Sequence, residues 1–181
     1  MSKASIELYP GQRTREKREF FRRYQVSAVQ EQYKRRFYHL FGNSCYKCGR
    51  FADPSRAFET RRILCMDHHL PMALGGHLVP GNIVSLCRRC NGLKLDRHPS
   101  AFYTESELHR LQPLLDQQDE LFSFTFNWDK WSSSREEYLL SLGIEAILVH
   151  DILYNQEHPD FAGTGSDRLG VVISVSGVDR L

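Results

Sequence analysis

Cys45-Tyr46-Lys47-Cys48 and Cys87-Arg88-Arg89-Cys90 are two Cys-x-x-Cys pairs. At that spacing a tight turn can aim both sulfurs of a pair at one ion, and two pairs supply the four thiolates of a closed tetrahedral Zn2+ site. With four protein ligands no position remains for water or substrate. Such a zinc is therefore structural, holding the helix that begins near Cys90 against the preceding segment. The 38 residues between Cys48 and Cys87 exceed the usual zinc-ribbon gap, so the pairs must bracket a folded insert. The fifth cysteine, Cys65, lies in an apolar run and reads as a buried core residue. An odd number of cysteines, four of them in matched pairs, suits metal ligation in a reducing compartment better than a disulfide framework.

The insert and the second pair hold a different set of donors: Asp67-His68-His69-Leu70-Pro71, then Gly75-Gly76, Asn82, Asn91 and Lys94. Singly, Asp67, Asn82 and Asn91 are residues of turns and caps. Their joint placement around two metal-binding pairs is what points to chemistry. A histidine with an unperturbed pKa near ~6.5 can take a proton from water at neutral pH, and either His68 or His69 could do so. Asp67 and Asn91 offer hard oxygen donors too few to cage an ion alone. That suits a Mg2+ or Mn2+ ion that keeps waters and recruits a substrate oxygen. His77, alone in a loop, reads as solvent-facing more readily than as catalytic, and His98 is given no role.

This arrangement resembles the HNH (ββα-metal) endonuclease family of the zinc-knuckle type. That family's pattern is Asp-His-x-x-Pro, a Gly-Gly loop, a central Asn and a terminal Cys-x-x-Cys-Asn-x-x-Lys. The separations, 14 from His68 to Asn82 and 9 from Asn82 to Asn91, are similar too. The resemblance covers about residues 43 to 97 and implies a metal-dependent DNA endonuclease, such as a restriction, phage-borne or defence enzyme. Hydrolysis of a phosphodiester needs an activated water, a counter-charge and relief for the leaving oxygen. The register to Pro71 and Asn82 makes His68 the general base, with Asp67 and Asn91 holding the catalytic Mg2+ or Mn2+. The resemblance further implies that Asn82 is no ligand but braces the loop and fixes the His68 imidazole. Lys94, Arg88 and Arg89 are expected to donate to phosphates. The alternative is a non-catalytic zinc-finger DNA-binding or adaptor module, which would have no use for an unsaturated metal site.

The elements that must position these residues form an α+β chain. A ββα-metal core stapled by the four-cysteine zinc site lies between a basic N-terminal helix and a C-terminal α/β extension. The helix is expected from about Thr14 to Phe41, with Val26, Val29, Tyr33, Phe37 and Leu40 on one face, ending at Gly42 and Asn43. Its other face carries Arg18, Arg22, Arg23, Lys34, Arg35 and Arg36, a candidate track along a phosphate backbone. Strands are expected over Arg61–Met66 and Ile83–Leu86, with a helix from Cys90. Adjacent strand residues face opposite ways, so Asp67 and His68 share a site only if the strand ends there. Further on, Thr104 with Glu107 reads as a capping box, and Pro113 should break or kink its helix. Phe122–Trp128 alternates like a strand, Ser133 with Glu136 reads as a cap, and Val171–Val175 follows Gly163-Thr164-Gly165 as a last strand.

The chain of 181 residues has a formal net charge of +2. Residues 1–100 carry 19 Lys+Arg against 8 Asp+Glu, and residues 101–181 carry 5 against 14. A polyanion-facing first half and a second half facing something else are expected. The expected division is a basic helical arm (1–42), a zinc-bound nuclease domain (43–99) and an acidic α+β extension for packing, dimerisation or partner binding (100–181). Double-stranded DNA is the expected partner, and a double-strand cut favours a homodimer. No stretch suits a membrane span or a signal peptide, so a cytoplasmic location is expected.

Overall fold

The computed structural model describes residues 9–55 and 63–154. These form two units: residues 9–23 with 33–124, and residues 24–32 with 125–154.

The first unit opens with α1 (Tyr9–Arg22) and takes in the second half of α2 (Ser27–Leu40). The sequence pattern suggests one continuous helix here, but the structure has two. Gln25 takes a left-handed φ of 59°, and Val26 N–H donates to Tyr24 O at 2.6 Å, which turns the chain. A left-handed residue that is not glycine leaves no mark in composition, and apolar steps of three and four run across it. The helix does end at Gly42 and Asn43, with φ of 59° and 52°. Phe20 of α1 meets the Phe122 ring edge-on at 5.0 Å, and Phe37 of α2 stacks on Phe122 at 6.1 Å. These buried rings join the N-terminal helices to the segment beyond Pro99.

Strands β1 (Leu64–His68) and β2 (Ile83–Cys87) pair antiparallel, from Leu64 opposite Cys87 to His68 opposite Ile83. β2 is buried along its whole length, as its run of Ile, Val and Leu requires. Cys87 then caps α3 (Arg88–Lys94), its sulfur accepting Cys90 N–H at 3.4 Å, and α3 packs on both strands. The order is thus strand, loop, strand, helix, a ββα core. Its loop contains a single 3-10 turn, Met72–Leu74, closed by Gly75 at φ 85°.

The unit continues past Pro99 through α4 (Pro99–Phe102), α5 (Glu105–Asp116) and α6 (Gln118–Leu121). The capping box is present: Thr104 Oγ1 accepts Glu107 N–H at 3.2 Å and Glu107 Oε2 accepts Thr104 N–H at 2.7 Å. Helix α5 runs on through Pro113 instead of breaking there, because Leu111 and Leu115 on either side are buried and hold both turns. Lys47 Nζ lies 2.6 Å from Glu107 Oε2, and the Tyr46 hydroxyl donates to Glu107 O. Buried Gln118 accepts from Gly81 N–H (3.0 Å) and Ile83 N–H (3.3 Å) and donates to Ile83 O (2.6 Å).

The second unit is helical among the described residues. The strand expected over Phe122–Trp128 is absent: residues 123–127 are irregular. The aromatic alternation there serves two cores, not one sheet. Phe122 packs in the first unit, whereas Phe126 lies 4.8 Å from Trp128 and 5.2 Å from Tyr138 in the second. Helices α7 (Trp128–Ser133), α8 (Arg135–Ser141) and α9 (Ala146–Tyr154) follow. Ser134, one residue later than expected, caps α8 by accepting Glu137 N–H at 3.4 Å. Arg61, Arg62, Gly163-Thr164-Gly165 and the strand expected at Val171–Val175 lie outside the described residues. No helix among the described residues is long and apolar enough to cross a membrane.

Candidate active site and metal centre

The first cysteine pair sits on a tight knuckle. Cys45 N–H donates to Arg50 O at 2.9 Å, Gly49 N–H returns to Cys45 O at 2.8 Å, and Gly49 takes the positive φ of 70° that the turn requires. The second pair straddles the junction of β2 and α3. All four sulfurs lie within 4.8 Å of one another, with Cys48 and Cys87 at 3.7 Å. A tetrahedral zinc with Zn–S bonds of ~2.3 Å separates its sulfurs by about 3.8 Å, so the donor set and its spacing fit that ion. Burial pushes the Cys45 and Cys90 thiols up. At Cys87 burial acts the same way but is outweighed by Cys90 N–H and the neighbouring thiols, which bring it to about 7. Sulfurs this crowded ionise together only around a cation.

Strand β1 ends at His68, and Asp67 and His68 leave it in different directions. Asp67 points to α3. Its Oδ2 is buried and takes no hydrogen bond, while Lys94 Nζ stands 2.9 Å away as an ion-pair partner. Asn91, half-buried, precedes Lys94 by three residues and so shares its face of α3. A carboxylate at the end of β1 and an amide oxygen on the facing helix are the hard oxygen donors that a divalent cation takes, and the Lys94 ammonium now occupies the Asp67 Oδ2 side of that set. His68 is buried on the other side, its Nε2 3.3 Å from Glu16 Oε2 of α1.

Residues 45–106 match the family model described as HNH endonuclease. That segment is similar to an HNH endonuclease domain. The match takes in both cysteine pairs, Asp67, His68, Asn82, Asn91 and Lys94. No curated protein and no solved structure matches the chain.

Within the HNH segment, Asn82 clamps the loop that follows His68. Its Oδ1 accepts Leu70 N–H at 2.7 Å, and its Nδ2 donates to Leu70 O at 3.1 Å and His77 O at 2.8 Å. Its own carbonyl accepts His69 N–H at 2.8 Å. Gly76 passes so close beneath that a Cβ there would lie 1.8 Å from Leu70 O. His69 faces inward, stacked on Tyr103 at 5.8 Å. Burial, aided by the charges of Lys94 and His98, pulls its pKa down to about 4 and leaves it neutral.

Lys94 departs from expectation. It has no exposed surface, and its ammonium donates to His68 O at 2.6 Å beside Asp67, so it ties β1 to α3 with nothing left to offer a phosphate. Arg23 is similarly engaged: its guanidinium donates to Phe20 O and Phe122 O at 3.0 and 3.1 Å. Arg88, Arg89, Arg22, Arg35 and Arg36 have exposed side chains, and half-buried Lys34 lies 4.8 Å over the Phe21 ring. His98 caps α4. Cys65, half-buried rather than fully so, contacts Leu86 O at 3.2 Å, and burial pushes its thiol up to about 11.

Glu16 is the residue that sequence reasoning missed. Its Oε1 lies 2.8 Å from His77 Nδ1, and its Oε2 accepts Leu78 N–H at 3.0 Å besides facing His68. Burial raises its pKa, but the hydrogen bonds from His77, Leu78 N–H and His68 outweigh that and hold it below the usual carboxylate range. In the sequence it stands between Arg15 and Lys17, one charge among many.

Proposed function

We propose that the protein is a DNA endonuclease that hydrolyses phosphodiester bonds with His68 as general base and one divalent cation, Mg2+ or Mn2+, held by Asp67 and Asn91. The observation that supports this reading is the match of residues 45–106 to the HNH endonuclease family model, with Asp67 and His68 together at the end of β1 and Asn91 on α3, against which Asp67 packs. When bound, the cation supplies positive charge against the phosphate and the leaving oxygen. His68 takes a proton from the attacking water as the new P–O bond forms. The bond to the 3′ oxygen then breaks and that oxygen takes a proton from solvent, leaving a 5′-phosphate and a 3′-hydroxyl. Asn82 keeps the loop after His68 closed on itself, which holds the base in place. Zn2+ on Cys45, Cys48, Cys87 and Cys90 serves the fold alone. Exposed Arg88 and Arg89, with Arg22, Arg35 and Arg36, are the candidates for phosphate contact.

The test is cleavage of single- and double-stranded DNA and RNA with Mg2+ or Mn2+, the product ends being sequenced. Cutting of DNA that is abolished in His68→Ala, with zinc content and melting curve retained, is the expected result. Unchanged cutting by that variant overturns the role of His68. Salt-sensitive DNA binding without cutting under any divalent metal supports the non-catalytic binding module instead.

A further inference from the structure

We propose that Glu16, on the N-terminal helix and outside the HNH segment, is a positioning residue that orients His68 and fixes which of its ring nitrogens carries the proton. The inference rests on the nuclease reading for its consequence and on geometry for its content. An ionised carboxylate only accepts hydrogen bonds, so a ring nitrogen facing it must bear hydrogen. Glu16 Oε2 lies 3.3 Å from His68 Nε2, which selects the Nε2–H tautomer and places the lone pair on Nδ1. The carboxylate is itself held: Leu78 N–H reaches Oε2 at 3.0 Å and His77 Nδ1 reaches Oε1 at 2.8 Å. Both donors belong to the loop that Asn82 clamps, so the loop, the helix and the base form one hydrogen-bonded assembly. Glu16 keeps only 18% of its side chain exposed, and His68 keeps 9%, so water competes poorly for the contact. His77, exposed in its loop, thereby acquires a purpose: it steers Glu16.

The experiment uses the full chain with Mg2+ or Mn2+ and compares the wild type with Glu16→Gln, Glu16→Ala and His77→Ala. Glu16→Gln keeps the shape but presents an amide that can donate as well as accept, so it releases the tautomer without emptying the site. The expected loss in kcat for both Glu16 variants is about 10–100-fold, as for partners that orient a reacting side chain, with KM for DNA and zinc content nearly unchanged. In His77→Ala the contact with His68 survives, and the loss is smaller. Nitrogen NMR of the His68 ring supplies a readout independent of activity: Nε2–H in the wild type, mixed tautomers in Glu16→Gln. Unchanged or faster cleavage in Glu16→Gln, or a wild-type ring protonated on Nδ1 alone, overturns the proposal. A wild type that fails to cleave yet shows the Nε2–H ring overturns the nuclease reading and leaves the positioning contact standing.

Discussion

Lys94 Nζ lies 2.9 Å from Asp67 Oδ2, and the lysine is wholly enclosed by protein. Removing one partner of a buried pair strands the other charge. Lys94→Met is therefore expected to lose about 3–5 kcal/mol of stability in urea titrations. Arg88→Ala and Arg89→Ala, at exposed positions, should each change stability by less than about 0.5 kcal/mol. If they touch phosphate, each lowers the slope of log affinity against log salt by about 1. A Lys94 variant as stable as the wild type would contradict the pairing.

Metal removal gives a second expectation. A structural zinc contributes an apparent ~10–16 kcal/mol in small zinc-finger peptides, more than most domains hold in reserve. Stripping the four sulfurs with a chelator under reducing conditions should melt the ββα core, and added Zn2+ should restore it where Mg2+ does not. Circular dichroism with metal analysis reads this directly. A stripped chain with an unchanged melting curve contradicts the site.

The loop after β1 leaves no room at Gly76. Gly76→Ala sets a methyl against the Leu70 carbonyl, and because that obstacle is backbone the cost should reach the upper part of the ~1–3 kcal/mol seen for overpacking. Asn82→Ala leaves Leu70 N–H without its acceptor, for about 1–3 kcal/mol. Both should speed amide hydrogen exchange across residues 69–82, and exchange at the wild-type rate there would rule the clamp out.

Glu107 predicts a pH response. At Glu107 burial raises the pKa, but the hydrogen bonds and charge of Lys47 and the Thr104 N–H outweigh it, and the net value lies below the ordinary one. A carboxyl depressed in the folded state contributes stability above its unfolded pKa, and that contribution is lost as pH falls through the folded value. Stability should therefore decline below the ordinary carboxylate range, and Glu107→Gln should flatten that decline. Unfolding midpoints compared between pH 3 and 7 measure it, and parallel profiles for the two proteins would refute it.

The ββα core and its four cysteines were legible because chemistry restricts them to few residue types at fixed spacing. The capping box at Thr104 was legible for the same reason. The break at Gln25 was not, because nothing in composition marks a left-handed glutamine. The supposed strand at Phe122–Trp128 misled because alternating aromatics fit two separate cores as well as one sheet face. Lys94 read as a phosphate donor because a motif names a residue without saying whether solvent reaches it. Glu16 could not be found at all: its partners stand 52, 61 and 62 residues away, and only folding brings them to it.

Gln118 has a consequence for where the HNH core could be cut from its chain. One side of β2 is covered by β1, and the other is sealed at Ser85 O by Tyr46 N–H and at both backbone groups of Ile83 by the Gln118 amide. A side chain from the acidic half thus stands in for a third strand. The family match ends at residue 106, short of it. A fragment trimmed to that match would carry every motif and an open sheet edge, a template for pairing with its own copies. A fragment meant to stay soluble is therefore expected to need Gln118, which lies beyond the end of the family match.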